Sequence, residues 1–184
     1  MDLAEAVEAL RAGGVVAFPT DTVYGLAVLP GGEGKVQEIK GRPADLPLVL
    51  MVAEPSQAEA FVSVDRRARW YMERWWPGPL TLVLPTQEER EGTLGVRIPD
   101  HPLALELLRA AGPLLTTSAN RHGEPPALTA EEASRLAGLA GVLDGGRAFG
   151  GEPSTVIALL PGKEMTVIRE GAISTHLLGD DEHL

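Results

Sequence analysis

The residues best suited to chemistry sit in two short segments far apart in the chain. Lys40-Gly41-Arg42-Pro43 presents two cations, and Ser118-Ala119-Asn120 presents a hydroxyl and an amide at the end of the apolar run 113–117. Together these groups suit polyanionic oxygen, above all a nucleotide's phosphates: the cations neutralise charge, and the hydroxyl and amide supply directed hydrogen bonds. Taken alone, Lys-x-Arg at a helix exit is more often a solvated end that complements the helix dipole. A third stretch, Pro19-Thr20-Asp21-Thr22-Val23-Tyr24-Gly25-Leu26, follows directly on the apolar residues 15–18. Polar residues at the end of a buried strand in an α/β sheet are where ligands are met. A capped turn is the alternative, since Thr and Asp favour turns. Arg97 lies in the alternating run 93–99, where an arginine needs either an acidic side chain or an anionic ligand. None of the four histidines has a neighbour at metal-ligand spacing, and the chain has no cysteine. Thiolate catalysis, disulfides and cysteine-bound zinc are therefore excluded.

The elements that must position these groups follow from periodicity. Leu3, Ala6, Val7 and Leu10 share one face of a helix over 2–12, which Gly13-Gly14 stops. A short amphipathic helix ends near Lys40, and the glycines before it (Gly31, Gly32, Gly34) are not a P-loop, because no Gly-Lys-Ser/Thr follows. Residues 48–52 and 80–84 read as buried strands, and 55–76 as one or two helices. Those helices carry an arginine face (Arg66, Arg67, Arg69, Arg74) and aromatics at helical spacing (Trp70, Tyr71, Trp75, Trp76), a pattern of core packing rather than base stacking. Asp100-His101-Pro102 opens a helix over 102–111, and Thr129-Ala130-Glu131-Glu132 is a capping box for another. Val142-Leu143-Asp144, 156–160 and 165–169 complete the strands. Helices and strands alternate, with a few strands directly consecutive. This implies a single α/β domain over 1–175 with a mixed parallel/antiparallel sheet, then an acidic, frayed tail over 176–184.

Bulk properties bound the function. With 184 residues, 44% of them hydrophobic, the chain can build one substantial core. No apolar run is long enough to span a bilayer and the N-terminus lacks a secretory layout, so a cytoplasmic protein is expected. A formal net charge of -10 opposes an extended nucleic-acid surface, although a local basic pocket depends on placement and not on totals.

Six motifs also occur in the order expected of one family. They are Pro19 to Leu26, Lys40-x-Arg42-Pro43, Trp76-Pro77-Gly78-Pro79-Leu80-Thr81-Leu82, Val96 to Pro102, Ser118-Ala119-Asn120 and Ser154-Thr155. From about residue 8 to 173 the chain resembles the YrdC/TsaC family of threonylcarbamoyl-AMP synthases. The resemblance implies a twisted mixed α/β sheet with flanking helices and a basic concave cavity. It implies a nucleotidyltransferase joining L-threonine, bicarbonate and ATP with release of pyrophosphate, in support of threonylcarbamoyladenosine formation beside the tRNA anticodon.

The resemblance also implies residue roles. Lys40, Arg42, Ser118 and Asn120 would hold the ATP phosphates, with Lys40 and Arg42 stabilising the departing pyrophosphate. Arg169 and the Thr93 hydroxyl would contact the nucleotide. Thr22, Arg97 and Ser154 would contact threonine, Arg97 through the carboxylate, and Ser118 would touch both ligands. Magnesium would arrive with ATP and no tight protein metal site is expected, although Asp21 could hold a metal-bound water. The intermediate would pass to the complex that loads tRNA. Longer relatives have Asn and His contacts where this chain has Leu46 and Met51, positions at which short members also vary, and the loop around Leu128 lacks the family's usual hydroxyl. An RNA-binding module using the basic cavity is the alternative, which the charge of -10 counts against. A carbamoyl-transfer accessory domain is another, in a family whose members carry additional domains.

Overall fold

The computed structural model describes residues 1–41, 47–87 and 92–179. Its centre is a sheet of short strands whose neighbours are distant in sequence. The strands are β1 (Val16–Phe18), β2 (Gly25–Val28), β3 (Val49–Met51), β4 (Leu80–Pro85), β5 (Thr93–Arg97), β6 (Leu114–Ser118), β7 (Gly141–Val142), β8 (Thr155–Ala158) and β9 (Thr166–Arg169). They lie in the order β7-β1-β2-β6-β3-β5-β4-β8-β9. The β1–β7, β3–β5 and β4–β8 pairs are parallel, and the other neighbours are antiparallel. The mixed sheet predicted from alternating and consecutive elements is therefore present.

β2 was not anticipated. Its four residues are all buried, so they show no alternation, and they follow the polar motif without a break. It pairs antiparallel with β1 through a tight excursion at residues 19–24, which makes that motif the turn of a hairpin.

Helices α1 (Leu3–Arg11) and α5 (Pro102–Ala111) cover part of one face of the sheet. Ala6, Val7 and Leu10 of α1, with Ala104, Leu107 and Leu108 of α5, pack on Val16, Phe18, Ala27, Met51 and Leu114. Asp2 caps α1 in a reciprocal box with Glu5. The opposite face carries the larger core, where Leu26, Leu50, Leu82, Val96 and Ile157 meet α2 (Glu33–Lys40), α3 (Pro55–Glu59), α4 (Arg66–Trp75) and α6 (Ala130–Ser134). Tyr71 is fully buried there. Trp70, Trp75 and Trp76 pack half-buried against that core, and Arg74 lies over the Trp70 and Trp75 rings at 5.6 and 5.8 Å. The aromatics of this segment thus serve packing and cation–π contact.

The capping box of α6 forms only in part. Thr129 accepts from the Glu132 N–H, but the Glu132 carboxylate turns to the Leu128 N–H instead. After β9 the chain closes with a 3-10 turn, Thr175–Leu177, and Leu178 is fully buried. No helix among the described residues is long and apolar enough to cross a membrane.

Candidate functional site

α1 and α5 leave the middle of their face uncovered, and strand register decides what lies there. Val49 is aligned with Thr116 on one side and with Gly95 on the other, and Gly95 with Val83. Alternation then puts Thr81, Arg97, Thr116 and Ser118 on this same face. They line a hollow of about 190 Å³, together with Thr20, Thr22, Met51, Ser154 and Arg169. A second hollow of about 400 Å³, lined by Asn120, Arg121, Pro126, Leu128 and Arg135, starts from the turn that follows Ser118.

Arg97 is the keystone of the first hollow. Its side chain is 3% exposed and forms an ion pair with Asp21, Nη2 to Oδ1 at 2.5 Å. Nη1 donates to Thr22 Oγ1 at 3.1 Å and Nε to the Gly78 carbonyl at 2.9 Å. One guanidinium thus ties β5 to the 19–24 turn and to the turn before β4. Burial pulls the Arg97 pKa down while Asp21 pulls it back up, as a desolvated cation with a buried counter-ion must. Thr20 Oγ1 lies 2.9 Å from Thr22 Oγ1 and donates to the Val23 carbonyl, which fixes the turn internally. Both alternatives offered by the sequence apply here: the 19–24 stretch is a capped turn, and its Thr22 lines a cavity.

Arg169 projects from β9 into the same hollow. Nε and Nη2 donate to the Ser154 carbonyl at 3.1 and 2.8 Å, and Nη2 lies 3.3 Å from Ser154 Oγ. Ser154 Oγ in turn sits 2.8 Å from Thr81 Oγ1. Burial lowers the Arg169 pKa, and Arg169 is one of the charges that lower that of Arg97.

The two segments singled out first are brought together. Lys40 ends α2, where Gly41 adopts a left-handed conformation (φ 60°) that lets the chain leave the helix. The Lys40 side chain does not reach into solvent, as a helix end complementing its dipole would. It is 5% exposed, and Nζ donates to the Ser118 carbonyl at 2.6 Å, the Asn120 carbonyl at 2.9 Å and Asn120 Oδ1 at 3.0 Å. The His122 N–H returns a bond to the Lys40 carbonyl. Ser118 Oγ donates to Asn120 Oδ1, and Asn120 Nδ2 donates to the Arg121 and Glu124 carbonyls. Lys40 therefore braces the turn that joins the two hollows.

Of the residues read from the sequence, Thr22, Arg97, Ser118, Ser154 and Arg169 line the first hollow and Asn120 the second, with Lys40 behind both. Thr93 is exposed, on the same face as Arg97 but about 13 Å up β5, beyond the lining. Arg42 and Leu46 lie outside the described residues. Thr20, Thr81 and Thr116 line the site but had not been singled out, and Asp21, read from the sequence only as a holder of metal-bound water, is the partner of Arg97. The alternation Leu80-Thr81-Leu82 was the signal for Thr81, a polar residue facing away from two core leucines. Among the described residues no three His, Asp or Glu side chains cluster in a way that could hold a metal ion, and Asp21 Oδ1 is already committed to Arg97.

The Sua5/YciO/YrdC family model, described as "Telomere recombination", matches residues 8–171. The chain belongs to this family. A relative from Bacillus subtilis named threonylcarbamoyl-AMP synthase is 42% identical over 85% of this chain and 49% of its own length. One of the same name from Stenotrophomonas maltophilia is 38% identical over 88% of this chain and 96% of its own. A crystal structure of P. abyssi Sua5 complexed with L-threonine superposes with a TM-score of 0.86 and 36% identity, over 92% of this chain and 54% of that one. The chain thus spans about half the length of the Bacillus subtilis and P. abyssi relatives, and nearly all of the Stenotrophomonas one.

Proposed function

We propose that this Sua5/YciO/YrdC chain is a threonylcarbamoyl-AMP synthase, converting ATP, L-threonine and bicarbonate into L-threonylcarbamoyladenylate and pyrophosphate. The observation that carries this reading is a hydroxyl-rich hollow holding Arg97 and Arg169, joined at Ser118 to the turn braced by Lys40. The hollow, of about 190 Å³, can take a small hydroxylated amino acid. The relatives' names and the L-threonine in the P. abyssi complex support the same assignment.

Threonine occupies the first hollow, its carboxylate on Arg97 and Thr22 and its remaining polar groups on Ser154 and Ser118. The nucleotide lies toward Asn120, with Arg42, Arg169, Ser118 and Asn120 on its phosphates, Thr93 at its outer side, and the Lys40 charge behind the turn. It enters as its magnesium complex, so the metal comes with the substrate. The threonine amine adds carbon dioxide derived from bicarbonate and loses a proton, giving a carbamate. A carbamate oxygen attacks the α-phosphorus in line, the bond to the β-phosphate oxygen breaks, and pyrophosphate leaves. No side-chain nucleophile is needed. The protein contributes proximity and charge stabilisation, each worth several kcal/mol in such sites. The product, a reactive mixed anhydride, passes in the cytoplasm to the complex that loads tRNA.

The test is pyrophosphate release with ATP, bicarbonate and each amino acid in turn. Release should depend on threonine, and Arg42→Ala and Arg169→Ala should each lower kcat/KM about 100-fold with an unchanged circular dichroism spectrum. Release without threonine, or undiminished release in both variants, would refute the assignment.

A further inference from the structure

Two guanidiniums share the wall of the first hollow, and they are furnished differently. Arg97 is paired with the Asp21 carboxylate at 2.5 Å, their side chains 3% and 14% exposed. Arg169 has no carboxylate in ion-pair range among the described residues and donates to Ser154 instead. Ser154 and Thr81 line the same hollow, and the two cations are close enough to repel. Among the described residues lining the hollow, the Arg97 charge is thus compensated by Asp21 and the Arg169 charge is not.

The turn that carries Asp21 is held by a packed loop. The 144–153 loop docks on its backbone, with the Gly151 N–H on the Thr22 carbonyl. Gly150 approaches so closely that an added Cβ would stand 2.6 Å from the Asp21 carbonyl. The second carboxylate oxygen, Oδ2, is buried with no hydrogen-bond partner among the described residues, and the ion pair that Asp21 forms there is with Arg97.

We propose that Asp21 is a specificity-determining residue that reserves Arg97 for a zwitterion's carboxylate and turns phosphate toward Arg169. A buried guanidinium without a counter-ion takes an anion from solution, because leaving it unpaired is costly. With Asp21 in place, a phosphate at Arg97 meets a fixed carboxylate at close range, whereas an amino acid brings no net charge and binds by hydrogen bonds. Without Asp21, the two arginines form one continuous dicationic wall that binds phosphate across the amino-acid half. Asp21 touches neither substrate and acts through Arg97. The inference rests on the proposed placement of threonine.

The test replaces Asp21 by its isostere, Asp21→Asn, and reads inorganic phosphate binding by thermal unfolding and calorimetry. The variant is expected to bind phosphate roughly tenfold more tightly than the wild type, with a midpoint that rises on adding phosphate. Should Asp21→Asn be unfolded in phosphate-free buffer, phosphate is expected to restore the fold. The gain should vanish in the double variant Asp21→Asn/Arg97→Met. Phosphate affinity unchanged in the single variant, or retained in the double one, overturns the proposal. In turnover assays phosphate should become a competitive inhibitor against threonine in Asp21→Asn, with Asp21→Glu restoring resistance. The binding arm needs no turnover, so its failure is distinguishable from failure of the synthase reading, which wild-type pyrophosphate release decides by itself.

Discussion

Ser154 is held by Arg169, and its hydroxyl has a single close partner of its own kind. Thr81 Oγ1 lies 2.8 Å from Ser154 Oγ, and both side chains are buried. A buried hydroxyl that loses its partner carries the cost of desolvation, about 1–3 kcal/mol, while removing both hydroxyls together costs less. Ser154→Ala and Thr81→Val should therefore each destabilise the protein by about 1 kcal/mol, and the double variant by less than the sum. A double-mutant cycle in urea measures this, and strict additivity would show that the two hydroxyls do not interact. His101 provides a pH-dependent counterpart. Burial lowers its pKa, only partly offset by Asp21 and Asp100. In the unfolded chain it takes up a proton near pH 6.5, so between that value and its lower folded one the unfolded state binds more protons. His101 thus contributes stability that is present above about pH 6.5 and lost as the pH falls through the folded value. His101→Asn should flatten that part of the stability-versus-pH curve, as read from urea midpoints at pH 7.5 and 5.

Two glycines in different elements separate conformational cost from steric cost. A Cβ at Gly150 would stand 2.6 Å from the Asp21 carbonyl oxygen and 2.8 Å from Thr22 Cα, both backbone atoms that cannot step aside. Gly150→Ala should push the 144–153 loop off the 19–24 turn, destabilise by about 1–3 kcal/mol and raise the KM for threonine. Gly34, inside α2, faces nothing within 4 Å, and Gly34→Ala should stabilise that helix by about 0.5–1 kcal/mol. Thermal midpoints moving in opposite directions would bear this out. The elements also show what can be read from sequence alone. α1, α4 and α5 were legible because each buries one face and exposes the other, and β5 because its residue types alternate, with Val96 and Ile98 apolar and Arg97 charged between them. β2 was not, because it carries no period and continues the polar 19–24 motif with no boundary to mark its start. At the site, the types and order of Thr22, Arg97, Ser118 and Ser154 pointed to the hollow, and Asp21 stood in plain view beside Thr22. Its pairing with Arg97 spans 76 residues and follows from register, which a single sequence does not encode locally. The turn of Lys40 onto backbone oxygens of Ser118 and Asn120 was equally out of reach, since main-chain acceptors have no residue type to betray them.

The order of strands ties the whole molecule into one unit. β2 and β3 both pair with β6, some 90 and 65 residues further on, and β4 reaches forward to β8 across the same sheet. No contiguous stretch of chain contains all the neighbours of its own strands, so no half can keep its sheet edges paired while the other half unfolds. Cores on both faces draw on residues from most of the length, the one around α1 and α5 reaching from Ala6 to Leu143. Unfolding should therefore be a single cooperative transition, and folding slow for this size, because distant pairings must form before much surface is buried. The three tryptophans, Trp70, Trp75 and Trp76, all lie at or beside α4 on the face opposite the hollow, and so report on one local region. Far-ultraviolet circular dichroism reports on helices at both faces. Urea curves from tryptophan emission and from circular dichroism should superimpose, with one midpoint and one slope, and added threonine should shift both together. A tryptophan transition that precedes the loss of ellipticity would mean that the α4 face opens by itself, and the interleaved sheet would then not be the source of cooperativity.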